Sequence, residues 1–232
     1  MIPEFCTFRA FDSDMLGRPV WYLDDPDKAV EAAHAARDAD VGLLFHRGQA
    51  ALGEALLDAG FRHVETLVTL EMDIPPVGSS HGSDCRLATV DDAVSVEAVA
   101  RASFRSDRWH TDPSIPDDKA DDFKGTWARN DVAGRADATL VTLTPDGSIS
   151  GFVALLARGE ALIIDLIAVA PAHQGRGLGR ALIAAALAHG AGRYRRMNVG
   201  TQAANTASIR LYTAMGFAEA SRAETWHWTP DG

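Results

Sequence analysis

The stretch AVAPAHQGRGLGR, residues 168–180, decides how this chain is read. An apolar run ends at Pro171, three glycines (Gly175, Gly177 and Gly179) alternate with other residues, and Arg180 closes the group. Upstream, residues 160–169 read as a strand; downstream, 179–190 read as a helix. Glycines at such a junction leave peptide amides uncovered at the helix N-terminus, where partial positive charge collects. That makes an anion site with phosphate as its usual occupant, and Arg176 and Arg180 add charge beside it. The spacing is neither GxxxxGKS/T, since no lysine follows, nor GxGxxG, since position 180 is arginine.

Around this turn the pattern alternates strands and helices, an α/β arrangement. Strands are expected at 5–11, 18–23, 41–46, 61–74, 85–88, 138–143, 149–157, 196–200 and 220–228. Helices are expected at 27–37, 49–58, from the capping box Thr89-x-x-Asp92 through Phe104, at 122–130 and at 206–215. Gly17 is expected to turn the first two strands, and 105–122 to be irregular. The run PPVGSSHGSD at 75–84 reads as a break. It divides an N-terminal α/β accessory domain (1–75) from a larger C-terminal domain (84–232) through a linker at 76–83. One internal echo crosses the break: ALLDAGF at 55–61 and LYTAMGF at 211–217 are each a helix end, a glycine, an aromatic and then a strand. The first copy has Leu56 where the second has Tyr212, and it lacks the glycine-rich turn.

The 232 residues carry a net charge of −10 and two cysteines. The acidic balance argues against a nucleic-acid binder. No apolar run is long enough for a membrane span, no signal segment is read, and the cysteines lie in no metal-like spacing. A cytoplasmic protein without a metal is the expectation.

The run from Leu166 through Gly179 resembles the acetyl-CoA signature of the GCN5-related N-acetyltransferases (GNAT), Gln/Arg-x-x-Gly-x-Gly/Ala, here Gln174-Gly-Arg-Gly177-Leu178-Gly179. A second element of that family follows, from Asn205 through Tyr212 to Gly216 and Phe217. The resemblance covers about 84–230 and implies a mixed central sheet flanked by helices, the first domain resembling a partial half of the same fold. It implies acetyl-CoA as cofactor: the strand Leu166, Ile167, Ala168 and Val169 would pair with the pantetheine arm. Amides of Gln174, Gly175, Arg176, Gly177, Leu178, Gly179 and Arg180 would hold the pyrophosphate. Asn205 would bond the cofactor arm, Tyr212 would protonate the leaving thiolate, and Asp165 would act as base or orient the acceptor.

The stretch from Ala102 to Pro113, together with Phe123 to Trp127, Val199 to Ala207 and the N-terminal extension, is similar to the dTDP-fucosamine acetyltransferases, which acylate a nucleotide-linked 4-amino-4,6-dideoxy sugar. If 91–108 is helical, Arg101, Arg105 and Arg108 share one face that could meet a diphosphate, with Trp109 and His110 beside it to stack on a base or sugar and Gln202 on the acceptor side. Another small amine, an aminoglycoside, a polyamine or a protein N-terminus is the alternative acceptor, and a non-catalytic acyl-CoA sensor the alternative class. A homodimer is expected from family tendency.

Overall fold

The computed structural model describes residues 1–49, 53–76 and 85–231. Most of the expected linker and residues 50–52 of an expected helix lie outside the described residues. The chain forms strands β1 (Cys6–Phe8), β2 (Val20–Leu23), β3 (Leu43–Gly48), β4 (Arg62–Asp73), β5 (Cys85–Leu87), β6 (Ala138–Leu143), β7 (Ile149–Arg158), β8 (Ala161–Val169), β9 (Arg196–Gln202) and β10 (Ala218–Trp228). Its helices are α1 (Ala10–Leu16), α2 (Ala29–Asp38), α3 (Gly53–Asp58), α4 (Ala93–Ser103), α5 (Arg108–Thr111), α6 (Asp117–Asn130), α7 (Leu178–Gly190) and α8 (Thr206–Ala214). All strands join one mixed sheet in the order β1-β2-β3-β10-β4-β9-β8-β7-β6-β5. No described helix is long and apolar enough to cross a membrane.

The sheet explains the internal echo. Both copies end their helix in the same way. Gly60 (φ 86°) and Gly216 (φ 98°) take the left-handed conformation. The Phe61 and Phe217 amides reach back to the Leu56 and Tyr212 carbonyls, the closing bond of a Schellman cap. The following strands, β4 and β10, pair antiparallel with Leu67 opposite Ala223. The step from Phe61 to Phe217 equals the step from Leu67 to Ala223, so each residue of this pair faces its own repeat counterpart. A local two-fold axis therefore passes between them. The neighbours obey it: β2 and β3 are parallel, as are β8 and β9, and β1 and β7 flank them antiparallel. Each half lends its last strand to the other.

Two elements differ from the sequence expectation. The expected strand at 5–11 stops at Phe8, and α1 follows, so Gly17 (φ 65°) caps a helix rather than turning two strands. The helical spacing of Phe11, Met15 and Leu16 outweighs the short extended pattern. These side chains pack on an apolar cluster of Val20, Leu43, Phe45, Trp109, Ile115 and Phe123. The helix expected through Phe104 ends there, so the single helix over 91–108 that would align Arg101, Arg105 and Arg108 does not form. Phe104 is extended (ψ 132°), and the Asp107 carboxylate accepts from the Trp109 amide to cap the separate turn α5. The region expected to be irregular thus holds α5 and the start of α6.

Candidate active site

Strand β8 sets the geometry. Its parallel pairing with β9 runs only from Ala161↔Arg196 to Ile164↔Val199. Beyond that point β9 stays with β4 to Gln202, while β8 stays with β7 to Val169. The two strands separate at a bulge. The β7 register steps from Leu155↔Ile164 to Ala154↔Leu166, so Asp165 is the extra residue, and such an insertion bends a strand. The Ala170 amide bonds Ser150, so by alternation Ala168 and Leu166 point their peptide groups at β7. Ile167 and Val169 direct theirs into the gap. The Val169 carbonyl accepts from Gln174 Nε2 (3.0 Å) and Ser103 Oγ (3.2 Å).

The glycine turn lies at the open end of this strand. Gly175 (φ 75°) and Gly177 (φ 81°) are left-handed, a conformation that costs other residues about 1–2 kcal/mol. No amide from Gly175 to Arg180 donates to another described residue, as expected where a helix begins without a side-chain cap. A Cβ on Gly179 would stand 3.1 Å from Leu211 Cδ2, so α7 and α8 meet closely there. Arg180 Nη1 lies 3.2 Å from Met215 Sδ. In the N-terminal half, the turn after β2 is Asp24-Asp-Pro-Asp27-Lys28, acidic and closed on itself, with the Asp25 carboxylate accepting from the Asp27 amide. That half offers no anion cradle in this place.

Asn205 Oδ1 accepts from the Ser208 amide (3.1 Å) and caps α8. Tyr212, about two turns further on, is 3% exposed, and its ring packs edge-on to Phe217. Burial raises its pKa, so the phenol keeps its proton at neutral pH. Its hydroxyl bonds no other described residue.

Asp165 faces α6. Trp127 Nε1 (2.8 Å) and Arg135 Nη1 (2.9 Å) and Nη2 (2.7 Å) all donate to Asp165 Oδ2, and Oδ1 bonds no other described residue. Arg135 also reaches Asp131 Oδ1 (2.8 Å) from the π-turn Asp131–Arg135 that ends α6. Asp131 is buried, its Oδ2 has no partner, and burial together with the Asp165 charge lifts its pKa to about 7. Trp127 and Arg135 also line a cavity of about 400 Å³, completed by Phe8, Arg9, Ala10, Phe11 and Asp12 from the N-terminal half and by Arg108 and Asn130.

The residues expected to hold the acceptor are dispersed. Arg101 and Arg105 pair with Asp122 and Asp121. Arg108 alone reaches the cavity, bound to Asp12 at 3.0 Å. Trp109 is 1% exposed, its ring 4.2 Å from Phe123, so it cannot stack on a ligand. His110 is held between Asp107 (2.9 Å) and Asp121 (3.1 Å). Gln202 donates to Glu65 (3.0 Å), which Arg47 also holds (2.7 Å). The cavity residues Phe8, Arg9, Asp12 and Arg135 carry no motif; only the i, i+4 spacing of Asp131 and Arg135 was there to find.

The sequence pattern of the acetyltransferase (GNAT) family matches residues 101–217. The chain belongs to that family. Over 140 residues it is 31% identical to the spore coat polysaccharide biosynthesis protein SpsD of Bacillus subtilis, covering 60% of this chain and 48% of that protein. It spans 48%, 34% and 55% of three curated relatives that it matches, about half their length or less. In fold it is similar to a GCN5-related N-acetyltransferase from Sphaerobacter thermophilus (TM-score 0.66, 16% identity, 97% of this chain and 76% of that one). It is also similar to a tandem GNAT protein from the clavulanic acid biosynthesis pathway (TM-score 0.59, 16% identity, 92% and 76%). The mixed sheet flanked by helices is the GNAT fold.

Proposed function

We propose that this GNAT protein transfers an acetyl group from acetyl-CoA, by direct attack, to the amino group of a nucleotide-linked amino-deoxy sugar. One observation carries the reading. The parting of β8 from β9 exposes a strand edge that runs from the unsatisfied amides of the glycine turn to Asp165, and Asp165 is bonded to two walls of the cavity. A linear cofactor with a diphosphate at one end and a thioester at the other fits that path, and a second substrate fits the cavity. The likeness to a polysaccharide-biosynthesis protein supports a sugar acceptor.

When bound, acetyl-CoA supplies an activated acyl group. The chain does the rest by positioning and proton control. Amides of residues 174–180 take the pyrophosphate, and Ile167 and Val169 pair with the pantetheine arm. The Asn205 side-chain amide holds that arm. Tyr212 delivers its proton to the departing sulfur; burial makes it a weaker acid than a free phenol, so the transfer accompanies C–S cleavage rather than preceding it. Asp165, with one oxygen fixed by Trp127 and Arg135, turns the other toward the amine and takes up its proton. The reading includes residues 84–232 as the catalytic unit, 1–75 as its accessory half, and a homodimer in the cytoplasm.

The test is thiol release from acetyl-CoA against a panel of dTDP-4-amino-4,6-dideoxyhexoses, polyamines and aminoglycosides. Turnover with the nucleotide sugars alone is expected. Faster turnover with a polyamine or an aminoglycoside overturns the acceptor, and no release with any amine overturns the activity.

A further inference from the structure

Within the four strands that each half contributes to the two-fold relation, one connection differs. Strands β7 and β8 are joined through Gly159 and Glu160 alone, whereas their counterparts β1 and β2 are separated by α1. The added segment lines the cavity: Phe8, Arg9, Ala10, Phe11 and Asp12 face Trp127, Asn130 and Arg135 from α6 and its terminal turn. The helix inserted between β1 and β2 is thus part of the cavity wall.

Its chemistry is specific. The cavity lining holds three guanidiniums, Arg9, Arg108 and Arg135, against one carboxylate, Asp12, in a protein of net charge −10. Arg135 is neutralised by Asp165. Arg9 (3.8 Å) and Arg108 (3.0 Å) must share Asp12. Arg108 lies over the rings of Trp109 (3.8 Å) and Phe45 (4.1 Å), and its Nη1 is buried without a partner. Burial, with Arg47 nearby, pulls its pKa down to about 10. Its other terminal nitrogen holds a carboxylate that it must share, so the guanidinium keeps one buried donor for a further acceptor. Phe8 and Phe11 both line the cavity, and Phe8 leaves 46% of its surface exposed.

We infer that α1 and the two residues before it form an acceptor-recognition element, in which Arg9 and Arg108 hold a phosphate-type anion of the acceptor and Phe8 and Phe11 cover its planar or apolar portion. This rests on the acetyl-transfer reading for what is done to the acceptor, but the anion subsite can be tested without turnover. The Arg9 side chain is about half exposed and belongs to none of the apolar clusters, so Arg9→Ala leaves the core intact.

The experiment is calorimetric titration of dTDP and of thymidine into the full chain, wild type, Arg9→Ala and Phe8→Ala, with a parallel titration of coenzyme A. dTDP is expected to bind at least about tenfold tighter than thymidine, and Arg9→Ala to remove most of that margin while leaving coenzyme A binding unchanged. Phe8→Ala is expected to weaken both ligands alike. Equal affinity for dTDP and thymidine, or dTDP binding indifferent to Arg9, overturns the inference. Tight, Arg9-dependent dTDP binding in a protein that does not bind coenzyme A upholds the subsite and overturns the acetyl-transfer reading instead.

Discussion

Replacing Asp131 by asparagine measures what the protein gives up to keep a buried carboxyl group beside Arg135. Burial first, and the neighbouring Asp165 charge second, raise the Asp131 pKa from 3.8 to about 7, against the opposing pull of Arg135. The native state therefore holds this proton more tightly than the unfolded chain does. That contribution to stability is complete below about pH 4 and is lost as pH rises through about 7. A rise from 3.8 to about 7, at about 1.36 kcal/mol per pH unit, comes to about 4 kcal/mol. Asparagine keeps the shape and an oxygen for Arg135, which sits 2.8 Å from Asp131 Oδ1, but never ionises. Urea unfolding of both proteins at pH 4.5 and pH 8 isolates the effect, because other titrating groups cancel in the difference. Asp131→Asn should gain on wild type by about 2–4 kcal/mol between the two pH values. A difference that stays constant, or one that favours wild type at pH 8, would refute the claim that the charge is buried at a cost.

Other expectations follow from single features. Tyr212→Phe should slow acetyl transfer by about 10–1000-fold with little change in KM for acetyl-CoA, measured by thiol release. Gly177→Ala forces a Cβ into a residue at φ 81°; it should cost about 1–2 kcal/mol in thermal unfolding and weaken coenzyme A binding. Asp112 is fully buried, held 2.5 Å from both Arg62 and His227. Removing its charge as Asp112→Asn should destabilise by about 3–5 kcal/mol in urea unfolding. Burial lowers the His227 pKa from 6.5 to about 4 despite Asp112, so this histidine withdraws stability as pH falls from about 6.5 to about 4; His227→Gln should flatten that slope in a pH series.

The glycine turn, its flanking strand and helix, and the Asn205–Tyr212 element were legible because each is a local pattern with one physical reading. So was the echo of helix, glycine and strand, while the pairing of its two strands as β4 and β10 came only with the structure. The cavity lining was not. Its charges come from Arg9, Asp12, Arg108 and Arg135, brought together by tertiary contacts over more than half the chain. Arg101, Arg105 and Arg108 looked like one basic face only because helix spacing was extended across Phe104. Nothing in their spacing showed that Asp122, Asp121 and Asp12 would claim them. Trp109 looked like a stacking surface because an aromatic in a polar stretch is ambiguous until its burial is known.

Hydrogen exchange of the full chain with and without coenzyme A addresses the central claim, that the uncovered amides of one turn grip the cofactor. Slowed exchange at residues 175–180 and at Ile167 and Val169, with no change in the corresponding N-terminal turn at 24–28, is the predicted result. Protection confined to other segments, or none at saturating coenzyme A, would contradict the account.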